Sequence, residues 1–291
     1  MSKRVKITSI IILTVCVLSA AACCLFWDYI PFKYKYALEI YRAKDLLADD
    51  YSRNVFHSAV KFHSNYKVNV PNFYADYGEL DNPYVYVHKK DYIIDAGVSG
   101  DVELTVLFLK QCGPDGKVFG IEPNPNVLNK IKQDLKNYKN FQLFEYALWE
   151  SDGKGEFDLG AEPDDEINLA AHLVLDNFRK RENIISVNLI KLDNLIEKNQ
   201  INKVDFIKMD IEGAEVQALK GSKKTIAKYN PDLALSCHFP DDFLKFILFI
   251  HSINPKYKIY LAEHEPSTDM WRNYVVYATT RNAEGKPKDQ D

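Results

Sequence analysis

The sequence predicts an α/β protein with a Rossmann-like, mostly parallel sheet and helices on both faces, preceded by an N-terminal transmembrane helix. Three observations predict this class. An apolar run breaks into a glycine-rich turn at residues 91–101, and a second strand-and-helix pattern follows at residues 117–136. Residues 7–27 carry no charged side chain over 21 positions. The first two patterns indicate βαβ units, and the third is long enough to span a bilayer.

The turn at residues 91–101, DYIIDAGVSGD, is the first candidate functional motif. Residues 92–94 suit a buried central strand, and Asp95 follows where that strand would end. Gly97 and Gly100 allow a tight turn and a close approach of the backbone to a ligand. An ordinary strand-to-helix turn is the alternative, because short glycine motifs have many false positives. The apolar residues that follow predict a mostly buried helix ending near residues 113–114: Val102, Leu104, Val106, Leu107 and Leu109.

The next unit favours a nucleotide cofactor. Residues 117–121, KVFGI, read as a second strand, Glu122 follows its end, and Asn124 is a plausible N-cap of the next helix. Glu122 comes 27 positions after Asp95, where a carboxylate at the tip of the adjacent strand can accept both ribose hydroxyls. A solvated surface charge is the alternative for Glu122. Residues 141–148 predict a third strand, which would bring Ala147 beside the base of a bound nucleoside.

The uncharged stretch at residues 7–27 is the basis of the predicted domain organisation. Lys3, Arg4 and Lys6 precede the uncharged stretch, which is longer than the core of a usual signal peptide. We therefore predict a single-pass anchor in the lipid bilayer rather than a cleaved signal peptide. The positive-inside rule would leave the N-terminus in the cytoplasm and the domain on the other side. The predicted parts are an anchor at 1–28, a helical linker at 29–73, the main domain at 74–282 and a polar tail at 283–291.

Composition limits the classes of partner. The chain has 291 residues, a net charge of −4 and a pI near 6.0, so it has no basic footprint for nucleic acid. Only Cys112 and Cys237 lie outside the apolar stretch, so the sequence offers neither a disulfide framework nor paired zinc-ligand spacing.

A second chemical motif occupies residues 204–221, VDFIKMDIEGAEVQALKG. It reads as a fourth core strand that ends at Asp210 and is followed by a helix. Asp210 should face the same crevice as Asp95, because both follow the carboxyl ends of central strands. Glu212 and Glu215 would open the helix, where the helix dipole alone favours acidic side chains.

Together these motifs resemble the FkbM-type methyltransferases. The resemblance covers residues 74–280 and rests on DAGVSGD, IEP, LDNLI and, most specifically, KMDIEGAE. It implies the seven-stranded sheet of the S-adenosylmethionine-dependent class, and O-methylation of a hydroxyl on a sugar, glycan or related metabolite. The family usually has about one more residue between its first aspartate and the later glycine of the turn than this chain has between Asp95 and Gly100.

The resemblance also implies residue roles. Asp95, Gly97 and Gly100 would hold the methionine part of the cofactor, Glu122 its ribose, and Ala147 would lie by its base. Asp210 and Glu212 would lie near the transferred methyl group, with Glu215 on the acceptor side. His238 is the natural general base, since a ring pKa near working pH suits that role. Asp210 could orient His238, bind the acceptor or help to hold a divalent cation with Glu212 and His238.

Two other functions stay open at this level. A membrane-anchored, catalytically weak methyltransferase-like module that binds a ligand or partner is one alternative, and the shortened turn is its main support. A nicotinamide-dependent oxidoreductase shares the strand, glycine turn, helix and acid, although the motif around Asp210 argues against it. S-adenosylmethionine is made in the cytosol, so a domain on the other side of the membrane would need imported cofactor.

Overall fold

A computed structural model of the protein describes residues 32–62, 77, 82–160, 171–174, 183–263 and 274–281. The helices are α1 (Phe32–Lys35), α2 (Ala37–Ala43), α3 (Asp50–Phe62), α4 (Glu103–Cys112), α5 (Pro125–Asp134), α6 (Leu192–Lys198), α7 (Glu215–Lys220), α8 (Lys223–Tyr229) and α9 (Asp242–Ile253). The strands are β1 (Tyr92–Ala96), β2 (Lys117–Ile121), β3 (Phe141–Phe144), β4 (Ala147–Leu148), β5 (Gly153–Asp158), β6 (His172–Leu173), β7 (Ile184–Ile190), β8 (Phe206–Met209), β9 (Asp232–Cys237), β10 (Lys258–Glu263) and β11 (Tyr274–Thr279).

The main sheet has seven strands in the order β10-β11-β9-β8-β1-β2-β3. Strands β3, β2, β1, β8 and β9 run parallel, and β11 pairs antiparallel with both β9 and β10. The chain leaves β1 toward β2 and later returns on the other side of β1 as β8. Ligands of open α/β sheets bind at such a switch point, outside the carboxyl ends of the strands. The predicted α/β fold with a mostly parallel sheet is confirmed.

Both faces of this sheet are covered by apolar cores. Consecutive residues of a strand point to opposite faces, and in β1 Ile93 packs into one core while Ile94 packs into the other. The core around Ile93 is closed by α4 and α5, and the core around Ile94 by α3 and α9. A strand buried on both faces must be apolar throughout, which is why the central strands read as continuous hydrophobic runs.

A second sheet of four strands, in the order β4-β7-β5-β6, lies beside the main one. The predicted third strand at residues 141–148 is therefore wrong as a single element. Its first half, β3, joins the main sheet, whereas Ala147 and Leu148 pair with β7. The two halves separate because residues 145–146 leave the strand conformation. The second sheet packs its apolar face around Phe157 and Val187.

The helices before the glycine turn are fixed to the domain. Phe32, Leu47 and Phe56 belong to the larger core, and the hydroxyl of Ser52 accepts a hydrogen bond of 3.1 Å from the backbone N–H of Leu261. Part of the segment predicted as a linker therefore packs on the sheet. In the part of the chain that the structure describes, no helix is long and apolar enough to cross a bilayer. The predicted anchor at residues 7–27 lies outside that part.

Arg281, just after the last strand, contacts residues at the start of the central strands. Arg281 donates to Asp91 Oδ2 at 3.0 Å and to the carbonyl of Asp205 at 3.0 Å, and its Nε lies 3.5 Å from Asp232 Oδ2. Asp91 and Asp232 are buried. Burial raises the pKa of Asp232 to about 6, even with Arg281 beside it.

We expect Arg281→Ala to lower the free energy of unfolding by about 3 kcal/mol, because it leaves two buried carboxylates without their cation. Urea unfolding at pH 7.5 measures the loss. Lys203→Ala is the matched control, since Lys203 pairs with Asp205 at 2.9 Å on the exposed side and should cost less than about 1 kcal/mol. Equal losses in the two variants would contradict a buried role for Arg281.

Candidate active site

The carboxyl ends of β1, β2 and β8 open into a cavity of about 550 Å³. The turn after β1 and the start of α4 form one wall, and Ala147, Leu148, Phe157 and Leu173 contribute an apolar wall from the second sheet. Of the residues predicted from the sequence, the cavity is lined by Asp95, Gly97, Glu122, Ala147, Asp210 and Glu212. The sequence therefore identified one connected site.

Gly97 lies where the turn after β1 passes close to the backbone of Asp210. Its φ is +84°, and a Cβ atom at this position would lie 1.8 Å from the carbonyl oxygen of Asp210. Its N–H donates to Ile121 O at 3.0 Å. Gly97 thus lets the ends of β1, β2 and β8 come together, so the close approach at this residue is to the backbone of Asp210. Gly100 is buried, but it has no positive φ and does not line the cavity. The left-handed bends of the turn lie at Gly97 and Val102 (φ +53°).

Asp95 is held in place by two neighbours and keeps an oxygen for a ligand. It is 1% exposed, and the Thr105 hydroxyl donates to its Oδ2 at 2.6 Å. The ammonium of Lys208 lies 3.4 Å from Oδ1, yet Oδ1 accepts no hydrogen bond from the described residues. A buried carboxylate oxygen without a donor is costly, so a ligand donor in the cavity would stabilise it.

Lys208 is a site residue that the sequence analysis missed. It is buried, and its ammonium donates to Gly97 O at 2.7 Å, so one cation joins the glycine turn to Asp95. The ring of Tyr77 lies 5.6 Å from this ammonium and lines the same cavity. A lysine between Ile207 and Met209 in a strand buried on both faces was the available indication, because lysine is almost never fully buried without a partner.

Glu122 lies at the tip of β2, on the cavity wall. Its Oε1 accepts the backbone N–H of Asn124 at 2.8 Å, and Asn124 caps α5 by accepting from Asn126 N. Burial raises the pKa of Glu122 to about 8, and the nearby carboxylate of Asp95 contributes, while the Asn124 N–H and Lys208 lower it. Ala147, which begins β4, is buried on the opposite wall of the cavity.

A histidine and three carboxylates form a cluster at the edge of the cavity. His238 follows β9, and its Nε2 lies 3.4 Å from Asp210 Oδ1 and 3.5 Å from Glu212 Oε1. Its Nδ1 lies 2.9 Å from Glu215 Oε1. Asp210 and Glu212 line the cavity, whereas His238 and Glu215 lie behind them. The predicted grouping of Asp210, Glu212 and His238 is present, but Glu215 does not face the acceptor side.

The turn before α7 explains these positions. Glu212 has a φ of +56° and Gly213 a φ of +102°, so the chain bends in the left-handed region and α7 begins only at Glu215. Glu212 therefore lies before the first turn of α7, and the expectation that the helix dipole favours its acidic side chain is wrong. Glu215 is in the first turn, 1% exposed, and its Oε1 accepts the N–H of Ile211 at 2.7 Å.

The carboxylates change the acid–base behaviour of His238. Burial alone would lower the pKa of the ring, but Glu215 and Glu212 outweigh it and raise the pKa to about 11. The expectation of a ring pKa near working pH does not hold in this arrangement. The raised pKa favours the doubly protonated ring at neutral pH. Asp210, Glu215 and His238 also have ligand atoms within 4.8 Å of one another, a spacing compatible with a metal ion.

Helix α4 differs from its prediction in one functional respect. Its buried stripe is Thr105, Phe108, Leu109 and Cys112. The expected core positions Leu104 and Leu107 line the cavity, and Leu104 also packs against the core. Periodicity cannot separate a core contact from a cavity contact, since both select apolar side chains.

Comparison with known proteins identifies the family of this chain. A family model described as the methyltransferase FkbM domain matches residues 88–279. Hexuronic acid methyltransferase AglP of Haloferax volcanii is 26% identical over 120 residues, which cover 41% of this chain and 46% of that protein. The 2-O-methyltransferase NoeI of Sinorhizobium fredii is 26% identical over 127 residues, covering 40% of this chain and 52% of that protein. The chain thus spans about half the length of these curated relatives.

The fold is similar to a solved structure. The crystal structure of methyltransferase FkbM from Methylobacillus flagellatus superposes with a TM-score of 0.62 at 22% identity, over 84% of this chain and 59% of that chain. At this identity the likeness concerns the fold alone.

Proposed function

Because this chain belongs to the FkbM methyltransferase family, we propose that it transfers the methyl group of S-adenosylmethionine to a hydroxyl of a sugar, glycan or related metabolite. The single observation that carries the proposal is the convergence of Asp95, Glu122 and Asp210 on one cavity at the switch point of the sheet. The nicotinamide-dependent alternative is not supported by the family match.

The cavity suits S-adenosylmethionine in shape and in chemistry. Asp95 Oδ1 lies 3.4 Å from the Lys208 ammonium but accepts no hydrogen bond from the described residues, so it would be an acceptor for the ammonium of the methionine part. The carboxylate of Glu122 can accept the two ribose hydroxyls, and the apolar wall around Leu148 and Phe157 can hold the adenine. The bound sulfonium would supply an activated methyl group, which leaves to the chain the tasks of alignment and proton removal.

The acceptor hydroxyl would lie against Asp210. The bound cofactor would supply the methyl group to this oxygen and keep the sulfur as its leaving group, and a carboxylate of the cluster would receive the hydroxyl proton. Asp210 lines the cavity and is 30% exposed, so it can reach the acceptor. His238 would position Asp210 rather than take the proton itself, because its ring is already protonated at neutral pH. Glu212 is the second acceptor-side residue.

A sugar acceptor is supported by the names of the two relatives, a hexuronic acid methyltransferase and a 2-O-methyltransferase. Several carboxylates at the mouth of the cavity are also suitable partners for sugar hydroxyls, which donate hydrogen bonds. We therefore propose that the atom methylated by this chain is a hydroxyl oxygen.

Calorimetric titration of the full chain with S-adenosylmethionine and with NAD tests the cofactor. We expect micromolar binding of S-adenosylmethionine, no binding of NAD, and loss of binding in Glu122→Ala. Glu103→Gln is the control, because Glu103 also lines the cavity but is exposed. A folded chain that binds neither ligand would favour the methyltransferase-like module without activity.

Glu122 should make cofactor binding depend on pH. Its pKa of about 8 in the free chain means that it is mostly protonated at pH 6.5, whereas ribose hydroxyls bind best to the carboxylate. We expect the affinity for S-adenosylmethionine to rise about tenfold from pH 6.5 to pH 8, as the ionised fraction grows. In Glu122→Gln the same titration should be weaker and nearly flat, which also controls for ionisation of the ligand.

The same group should reduce the stability of the free chain. A buried acid whose pKa is raised on folding loses stability as pH rises from its unfolded value toward about 8. Glu122→Gln should therefore melt at a higher temperature than the parent chain at pH 8, and at nearly the same temperature at pH 4.5. A lower melting temperature at pH 8 would contradict the raised pKa.

We also propose that residues 7–27 anchor the protein in a membrane, with 21 uncharged positions as the basis. The surface of α1 and α2, which follow this stretch, is compatible with a bilayer interface. Tyr34, Leu38 and Tyr41 are 66%, 55% and 66% exposed there, with Lys33 and Arg42 nearby. Extraction from membranes by detergent but not by alkaline carbonate is the expected result.

A further inference from the structure

Lys208 is a buried cation whose hydrogen-bonding capacity is only partly used. A lysine ammonium has three N–H donors. Among the described residues, the ammonium of Lys208 makes one hydrogen bond, to Gly97 O at 2.7 Å. Asp95 Oδ1 lies 3.4 Å away without forming a hydrogen bond, and the ring of Tyr77 is 5.6 Å away. Lys208 therefore keeps donor capacity for a further acceptor.

Lys208 and Asp95 lie side by side on neighbouring strands. Lys208 is beside Asp95 in the parallel register of β8 and β1, so both side chains leave the sheet on the same face. Both residues are buried and line the cavity. The cavity wall thus offers a cation that can only donate and, 3.4 Å from it, a carboxylate oxygen that can only accept.

Such a pair is complementary to the two charges of an α-amino acid. An amino acid carries its ammonium and its carboxylate on one carbon atom, and the methionine part of S-adenosylmethionine keeps both groups. Its ammonium can donate to Asp95 Oδ1, while its carboxylate can accept from Lys208. Both contacts are charge-assisted hydrogen bonds, which are stronger than neutral ones. A neutral hydroxyl would leave one of the two buried charges without an opposite charge from the ligand.

The other charges around the cavity direct an anionic group to the same place. The acidic residues among the described lining residues are Asp95, Asp101, Glu103, Glu122, Asp210 and Glu212. Within that described lining, Lys208 is the one lysine or arginine. A ligand carboxylate is repelled by the acids and attracted by this ammonium, so its favourable position is beside Lys208.

We propose that Lys208 binds the carboxylate of the methionine part of S-adenosylmethionine, while Asp95 binds its ammonium. The inference rests on the proposed function and deepens it, because it assigns the amino-acid end of the cofactor to two named side chains. The same ammonium donates to Gly97 O, so one group joins the bound carboxylate to the glycine turn. Lys208 is therefore a specificity residue: it should select ligands that carry the carboxylate.

Calorimetric titration of the full chain with S-adenosylmethionine and with decarboxylated S-adenosylmethionine tests the contact. The second ligand keeps the sulfonium and the ammonium and lacks only the carboxylate. We expect the parent chain to bind S-adenosylmethionine at least about tenfold more tightly, because the other ligand loses a charge-assisted hydrogen bond. In Lys208→Met the two affinities should agree within about threefold. Lys220→Met is the control, since Lys220 is exposed, pairs with Glu150 at 3.3 Å and should keep the parent's preference.

A second variant separates the contact from effects on folding and on charge. Lys208→Met leaves the buried Asp95 without its cation, whereas the double variant Lys208→Met/Asp95→Asn removes both charges and keeps the net charge of the site. The double variant should bind both ligands more weakly and without preference, because both ligands keep the ammonium. Thermal unfolding of each sample reports on the fold.

The outcomes separate this inference from the proposed function. Equal binding of the two ligands by the parent chain would overturn the carboxylate contact and leave the cofactor proposal standing. A preference that survives in both Lys208 variants would also overturn it, and would leave Lys208 with a structural role in the turn. A folded parent chain that binds neither ligand would overturn the proposed function and this inference with it.

Discussion

Gly97→Ala should abolish binding of S-adenosylmethionine and lower the melting temperature by about 10 °C. The added Cβ would lie 1.8 Å from the carbonyl oxygen of Asp210, a backbone atom that cannot move without shifting the end of β8. A φ of +84° adds conformational strain for any residue with a side chain. Clash and strain together should cost about 4 kcal/mol or more. Calorimetry and thermal unfolding measure the two effects.

Gly113→Ala separates the strain from the clash. Gly113 also has a left-handed φ, +70°, but no atom lies within 4 Å of the position of its Cβ. It should cost about 2 kcal/mol, from strain alone, and leave the affinity for S-adenosylmethionine unchanged. If the two variants lost the same stability, the close approach of β1 and β8 would be absent in solution.

The main sheet could be predicted because its strands obey a local rule. Central strands such as β1 and β8 are buried on both faces, so each reads as a short apolar run that ends in an acid. The second sheet could not be predicted in this way. β4 and β6 have only two residues each, and β5 begins with alternating glycines and charges, so their pairing depends on contacts far apart in the sequence. The second half of the predicted third strand was therefore assigned to the wrong sheet.

The residues of the site also divide into those that a local pattern predicts and those that depend on the folded chain. Asp95, Glu122 and Asp210 could be identified because each lies at the carboxyl end of a strand, and parallel strands bring these ends together. Lys208 points to the same cavity from within β8, and nothing local distinguishes its role from that of a surface lysine except its apolar neighbours. The behaviour of His238 depends on three carboxylates that converge only in the folded chain, so a ring pKa near neutrality was the reasonable but incorrect expectation.

Asp210→Asn should lower kcat about a thousandfold while the affinity for S-adenosylmethionine changes less than about threefold. The amide keeps the shape of the side chain but removes the charge that would receive the acceptor proton. The expected pattern is a loss in the chemical step, because Asp95 and Glu122, the proposed cofactor contacts, are untouched. Single-turnover methyl transfer to a sugar acceptor measures the rate, and calorimetry measures the affinity.

His238→Gln tests whether the histidine works through Asp210. If it does, the double variant with Asp210→Asn should be no slower than the slower single variant, because both changes remove the same unit. If the two residues acted independently, their effects on the rate would multiply. A double variant slowed by the product of the two single factors would show that His238 acts on the acceptor directly. Since Nε2 of His238 is 3.4 Å from Asp210 and the ring does not line the cavity, the structure favours the first outcome.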